Sequence, residues 1–285
     1  MKNCTVTRAK SGKYFVSIQC EVEVDKPDYQ GEERGVDMGL VVFATLADSE
    51  GQVEEIANPR YLGKAEKRLK RLQRRLSRSR KGSKGYEKVR LLLARQHEMV
   101  ANQRRDFQHK QSRRLVDHNR LLCFENLHIA GMLKNHRVSK SISDAAWGEF
   151  VRQCSYKGEW YGCDIEIVGR FFPSSKLCNV CDRKNAGLKL SDRNWVCAWC
   201  RTVHKRDANA ARNVLAEGKR NGRAGAAQTI QVNAGGEGVR PGIALATPAA
   251  SVKPEAQSLL GWVAHISILN PLQITQLEGD HETRL

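Results

Sequence analysis

Four cysteines stand in two Cys-x-x-Cys pairs, Cys178/Cys181 and Cys197/Cys200, with fifteen residues between the inner two. Each pair can close a tight turn on which two thiolates converge. Two such turns complete a tetrahedral sulfur cage for one Zn²⁺, the ligand spacing of a zinc ribbon. The cage is expected to be structural, because four thiolates leave no open position. His204 lies close by, but with the shell already filled it reads as a surface or hydrogen-bonding histidine. Asp207 follows at once, in H-K-R-D-A-N-A-A-R-N, at the entrance to an alanine-rich helix. A metal-bound ribbon abutting a carboxylate implies an acidic site that the ribbon braces or covers. Two further carboxylates are placed to join it: Asp37 in G-V-D-M-G and Glu125 at the end of R-L-L-C-F-E. Three carboxylates can hold two Mg²⁺ about 3.5–4 Å apart for phosphodiester hydrolysis, one activating water and the other stabilising the leaving oxygen. Each acid also has a plainer role: helix N-cap for Asp207, turn aspartate for Asp37, exposed strand end for Glu125.

The elements that must position these residues are legible in the hydrophobic pattern. Residues 13–24 alternate, with Tyr14, Val16, Ile18, Cys20, Val22 and Val24 on one side, and read as the second strand of a hairpin after Cys4–Arg8. After a polar linker, three short strands joined by tight turns form a meander that begins with Asp37. From Leu62 the period changes: Leu62, Ala65, Leu69, Leu72 and Leu76 mark the seam of an amphipathic helix. The turn K-G-S-K-G breaks it, and a second helix from about Tyr86 to Asp117 completes a helical hairpin. A strand at 120–125, a helix at 143–161, a strand at 164–168, the ribbon and a helix at 207–217 follow. Meander, helices, strand, helix, strand and final helix is the order of an RNase H-like α/β fold with a mixed sheet. In that fold the ends carrying Asp37, Glu125 and Asp207 converge on one sheet edge. Trp147, Phe150, Trp160, Phe171 and Phe172 are expected in the core, and Trp195 and Trp199 are placed to stack on bases. Beyond residue 221 the chain is rich in Gly and Ala and is expected to be a disordered tail, with an apolar patch at 259–268.

The chain of 285 residues carries 48 Lys and Arg against 31 Asp and Glu, a formal charge of +17. The excess is local. Residues 60–120 hold 21 basic and 5 acidic side chains, beyond the alternating signs of a salt-bridged helix face, so a polyanion is the expected partner. Lys70, Arg71, Arg74, Arg104, Arg105 and Lys110 are the candidate phosphate contacts, against the plainer reading of solvated helix faces. Nine cysteines, four at metal spacing and the rest scattered, fit a reducing compartment better than a disulfide framework. The sequence has neither an apolar leader nor a membrane-spanning run, so a cytoplasmic location is expected, with no membrane partner and no small-molecule substrate.

Five motifs in order carry a family resemblance: G-V-D-M-G-L (35–40), N-Q-R-R-D-F (102–107), F-E-N-L (124–127), F-P-S-S-K-L-C-N-V-C (172–181) and H-K-R-D-A-N-A-A-R-N-V-L (204–215). Over about residues 10–218 the chain resembles the RuvC-type nuclease half of the TnpB family, insertion-sequence proteins that are RNA-guided DNA endonucleases often labelled transposases. The resemblance implies a Mg²⁺-dependent catalytic triad of Asp37, Glu125 and Asp207, structural Zn²⁺ on Cys178, Cys181, Cys197 and Cys200, a DNA target, and a guide RNA in full-length relatives. It implies a remnant of a wedge β-domain at 1–30, with the N-terminal half missing. The nuclease core then spans 31–173, with the basic helical hairpin at 62–117. The zinc ribbon occupies 174–203, the final core helix 204–220 and the tail 221–285. The alternative is a nucleic-acid-binding protein without cleavage, a guide-dependent repressor or a mobile-element remnant. The family's glycine after each Cys-x-x-Cys is replaced here by Asp182 and Arg201, a departure expected to alter those turns. Two residues before Asp207, the usual acid is Lys205.

Overall fold

A computed structural model of the chain describes residues 3–21, 31–189, 191–232 and 262–266, which divide into two compact units. The first unit holds a three-stranded antiparallel sheet. Its strands β1 (Asn3–Arg8) and β2 (Tyr14–Cys20) form the expected hairpin, in register Val6 opposite Val16. The hairpin turn is held to residues 71–98 of the same unit: Lys13 pairs with Glu98 at 2.9 Å, and Arg95 Nε donates to the Ser11 carbonyl at 3.4 Å.

The second unit contains the meander β3 (Glu32–Met38), β4 (Val42–Ala47) and β5 (Val53–Ala57). Helix α1 (Tyr61–Arg78), a turn, and α2 (Lys84–His118) follow, as the leucine spacing predicts, with Leu69 the buried residue of the seam. Then come β6 (Asn119–Glu125), the short α3 (Ile129–Met132), α4 (Ser139–Ala145), α5 (Trp147–Tyr161) and β7 (Asp164–Val168). A two-stranded β8 (Asn194–Val196) and β9 (Val203–Lys205) leads into α6 (Arg206–Val232). The five-stranded sheet runs β5-β4-β3-β6-β7, antiparallel through the meander and parallel across β3, β6 and β7. This is the mixed α/β architecture that the element order implies.

Side chains alternate across a strand, and here the alternation separates core from site. Val36 and Met38 of β3, with Leu122 and Phe124 of β6, enter one large core with Phe43, Leu115, Ile142, Trp147 and Phe150. Phe43 meets Phe107 and Phe150 edge-on, ring centres 5.1 and 5.0 Å apart. Gly35 and Asp37, and Cys123 and Glu125, therefore belong to the opposite face, where Val214 and Leu215 of α6 pack on Cys123 and Val168. Gly35 is what lets α6 approach: a Cβ there would sit 1.9 Å from the Ala211 carbonyl oxygen and 2.7 Å from the Leu215 nitrogen. Both obstacles are backbone and cannot rotate away. Gly35→Ala is accordingly expected to cost at least about 2 kcal/mol, a fall in Tm of ~4–8 °C for a unit of this size, read by thermal unfolding. A melting curve unchanged by the methyl would contradict the close helix–strand approach.

Three expectations are corrected. The helix expected at 143–161 is two helices, α4 and α5, because Ala146 takes a left-handed backbone at φ 50°. The Ala145 and Ala146 carbonyls at this break accept from Gln108 Nε2 at 3.0 Å each. The last helix runs fifteen residues past the expected end at Glu217, to Val232. Just past that expected end Gly218 is a close contact point: a Cβ there would lie 2.3 Å from Cys123 Sγ. The apolar patch expected near the C-terminus contains β10 (Trp262–Ile266), antiparallel to β2 with Ala264 opposite Ile18. The rest of the expected tail beyond Val232, residues 22–24 of the expected second strand and most of the polar linker lie outside the described residues.

Candidate functional site

Asp37 and Glu125 are neighbours across the parallel pair β3–β6, one step beyond Val36 opposite Phe124, on the α6 face of the sheet. Asp207 lies in the first turn of α6, one helical turn before Ala211, whose carbonyl abuts Gly35. The three sequence-predicted carboxylates thus come from three elements to one end of one sheet face. Their charges interact. Burial first, and then the charges of Glu125 and Asp207, hold the Asp37 carboxyl well above its ordinary 3.8, although Arg206 and Arg193 oppose the rise. Burial also raises Glu125, against a hydrogen bond from Ser174 Oγ and the charge of Arg206. Desolvation and mutual repulsion both disfavour the charged forms of these acids. Among the described residues only the four cysteines bring three or more ligand atoms within 4.8 Å of one another. Glu125 is engaged by Ser174, and Asp207 faces Arg193 Nη1 at 3.4 Å from each of its oxygens.

The cysteine quartet is gathered more tightly. Cys178 Sγ lies 3.5 Å from Cys200 Sγ, and Cys181 Sγ 3.6 Å from Cys197 Sγ. Each Cys-x-x-Cys folds into the same turn. The Asp182 N–H donates to the Cys178 carbonyl at 2.9 Å and the Cys178 N–H to that of Arg183 at 3.0 Å; Arg201, Cys197 and Thr202 repeat the pattern at 3.0 and 2.9 Å. Hydrogen bonds from the side chain and backbone of Thr202 pull the Cys200 thiol down to about 6. Convergent thiols with hydrogen-bonded sulfurs suit a thiophilic ion such as Zn²⁺. His204 is buried, its Nε2 3.2 Å from Cys178 Sγ and its ring 4.6 Å from that of Trp195, so of its two sequence readings the hydrogen-bonding one applies.

Asp182 and Arg201 do not reroute the turns. Both adopt the left-handed backbone that glycine would take freely, at φ 55° and 60°. For an L-residue this costs roughly 1–2 kcal/mol, less for Asp. Arg201→Gly and Asp182→Gly are expected to raise stability by ~0.5–1 kcal/mol each, arginine more. Thermal unfolding of the metal-loaded protein checks this, and a loss of stability in both variants would contradict it.

The sequence reading missed the residues that lock the cysteine segment to α6. Asn209 Nδ2 donates to the Leu177 carbonyl at 2.7 Å while its Oδ1 accepts the Asn179 N–H at 3.0 Å. Asn213 Nδ2 donates to the carbonyls of Ser174 and Leu177, both at 2.7 Å. Asn209 and Asn213 are one helical turn apart and buried, and that i, i+4 spacing of two asparagines after Asp207 was the available signal.

The candidate phosphate contacts divide. Arg104 is committed to Asp144 at 3.1 Å, whose carboxylate also accepts the Leu62 N–H; Lys70 pairs with Glu66 and Lys110 with Asp106, each at 2.8 Å. Arg71, Arg74 and Arg105 are exposed and form no ion pair among the described residues. Trp195 is buried beneath the cysteines rather than free to stack, Trp199 is exposed, and Phe171, expected in the core, is 90% exposed. None of the described helices is long and apolar enough to cross a membrane.

The sequence family described as "Probable transposase" matches residues 17–136, and the one described as "Cas12f1-like, TNB domain" matches 147–214. A protein of Streptomyces pristinaespiralis named "Putative RNA-guided DNA endonuclease" is 38% identical over 237 residues, covering 83% of this chain and 55% of that protein. "Putative RNA-guided DNA endonuclease InsQ" of Escherichia coli K12 is 33% identical over 234 residues, covering 76% and 57%. The chain spans between two fifths and three fifths of the length of the relatives it matches. A solved structure, "Cryo-EM structure of the Cas12f1-sgRNA-target DNA complex", aligns over 68% of this chain and 51% of its own at TM-score 0.48 and 17% identity. With both family matches in order, residues 17–214 belong to the TnpB family, as the five motifs imply.

Proposed function

We propose that this chain carries the nuclease half of a metal-dependent DNA endonuclease, with an RNase H-like (RuvC-type) core and a zinc ribbon as its brace. The observation that carries the reading is the approach of Asp37, Glu125 and Asp207 on one sheet face, with the Asp37 carboxyl raised by burial and then by the charges of Glu125 and Asp207. These three would hold two Mg²⁺, and the chemistry Mg²⁺ supplies there when bound is activation of water and stabilisation of the leaving oxygen. Ser174 orients Glu125 through its hydroxyl, and Asn213 fixes Ser174 through its carbonyl. Cys178, Cys181, Cys197 and Cys200 would hold Zn²⁺, which cross-links the segment that Asn209 and Asn213 tie to α6. The ribbon thereby positions the residues that orient Glu125 and meet Asp207.

The partners proposed are target DNA and a guide RNA, in the cytoplasm. The relatives' names support that assignment, as do Arg71, Arg74 and Arg105, exposed and without an ion pair among the described residues, whose phosphate contacts would make binding fall steeply with salt. The test is guide-programmed cleavage. The segments of the Streptomyces relative that lie outside the matched region are grafted onto this chain, its guide RNA is supplied, and a matched duplex is assayed with Mg²⁺. Cleavage by the graft is the expected result. Guide-dependent binding without cleavage, under conditions where the relative itself cleaves, would favour the non-cleaving reading.

A further inference from the structure

Arg193 stands in the segment leading into β8, and its backbone is tied beside the acidic cluster: its carbonyl accepts the Arg206 N–H at 2.8 Å. Its guanidinium reaches Asp207 at 3.4 Å from both oxygens, well beyond the ~2.7–2.9 Å of a tight charge-assisted bond. The side chain is 57% exposed and its carboxylate partner 36%. So the contact is loose, symmetric and solvated, the kind of ion pair that contributes little to stability. Its electrostatic reach is wider than the contact itself, because the same charge acts on Asp37. The cation is therefore fixed at the root and free at the tip, at the mouth of the three acids.

We propose that Arg193 exchanges partners: it neutralises Asp207 in the metal-free protein and turns to a substrate phosphate when divalent cations occupy the carboxylates. The inference rests on the acidic-site reading above. Once Asp207 becomes a metal ligand, the cations repel the guanidinium from it. The anchored backbone keeps the arginine within reach of whatever phosphodiester lies against the metals. A planar five-donor fork matches phosphate oxygens better than it is matched by one carboxylate at 3.4 Å. No bond is made or broken by Arg193; it is a competitor for the metal in one state and a phosphate clamp in the other.

The two roles predict opposite effects of one substitution, which a purely structural arginine would not produce. Mn²⁺ binding is measured by calorimetry on the zinc-loaded full chain for wild type, Arg193→Ala, Arg193→Lys and Asp37→Ala. Affinity for a labelled single-stranded DNA oligonucleotide is then measured with and without Mn²⁺. Arg193→Ala is expected to bind Mn²⁺ roughly two- to fivefold more tightly. It should lose about tenfold or more of its oligonucleotide affinity with Mn²⁺ and little without it. Arg193→Lys keeps the charge and should bind Mn²⁺ like wild type, with intermediate oligonucleotide affinity. An Arg193→Ala protein that binds Mn²⁺ no more tightly than wild type, or loses the oligonucleotide equally with and without metal, overturns the proposal. A wild type that binds no Mn²⁺, or binds it as well after Asp37→Ala, overturns the acidic site itself, a separable result.

Discussion

Removing the metal from the cysteine quartet is expected to unfold residues 174–205 and to take the acidic site with them. Little apolar surface holds this segment: the buried cluster there is the cysteines themselves with Leu188 and Trp195. Structural Zn²⁺ in small cysteine sites contributes roughly 10–16 kcal/mol of apparent binding free energy near neutral pH, far more than such a cluster supplies. Cys178→Ser/Cys197→Ser removes one ligand from each turn and should behave like the chelated wild type. The expected readouts are stoichiometric zinc in wild type, its absence in the double variant, and rapid proteolysis within 174–205 in both metal-free proteins. The sheet core, with its own cluster around Phe43, Phe124 and Phe150, should stay folded. A well-folded wild-type segment without metal would contradict the assignment.

Alanine at Asp37, Glu125 or Asp207 is expected to lower guide-programmed cleavage by the grafted protein by at least about 10³-fold, with each loss far from additive. Nucleic-acid binding should be largely unchanged, because no cation is removed. Stability separates a site acid from a structural one. The Asp37 carboxyl is held above its value in the unfolded chain, so its favourable contribution is present below about 3.8 and is lost as pH rises through the folded-state value. In the zinc-loaded protein without added Mg²⁺, Asp37→Asn should therefore be more stable than wild type at pH 7, and the difference should close as pH falls towards 4. Mg²⁺ should reverse the order by stabilising wild type alone. Asp207→Ala that cleaves at the wild-type rate would reduce Asp207 to a helix cap.

What the sequence revealed, and what it hid, follows from the range of the forces involved. The meander, β6 and β7 were readable because each is a local alternation or a short buried run, and α1 because leucines recur at helical spacing. The three acids were readable as a set because each ends an element whose order implies convergence. The break at Ala146 was not, since alanine gives no local warning of a left-handed backbone; it is stabilised by Gln108, 37 and 38 residues away in sequence. The length of α6 was hidden for a related reason. The Gly- and Ala-rich composition beyond residue 221 gave no amphipathic period, while Gly218 lets the helix lie close to β6. The ion pair of Arg104 was hidden likewise, because its partner Asp144 lies on another element. Asp182 and Arg201 show the reverse case, where the metal turn dictates the backbone and the residues accept the strain.

The most direct measurement of the central claim is anomalous diffraction from crystals of the zinc-loaded protein soaked in Mn²⁺. Two manganese peaks about 3.5–4 Å apart, bounded by the carboxylates of Asp37, Glu125 and Asp207, are the expected result. Ordered carboxylates with no manganese between them at saturating concentration would contradict it.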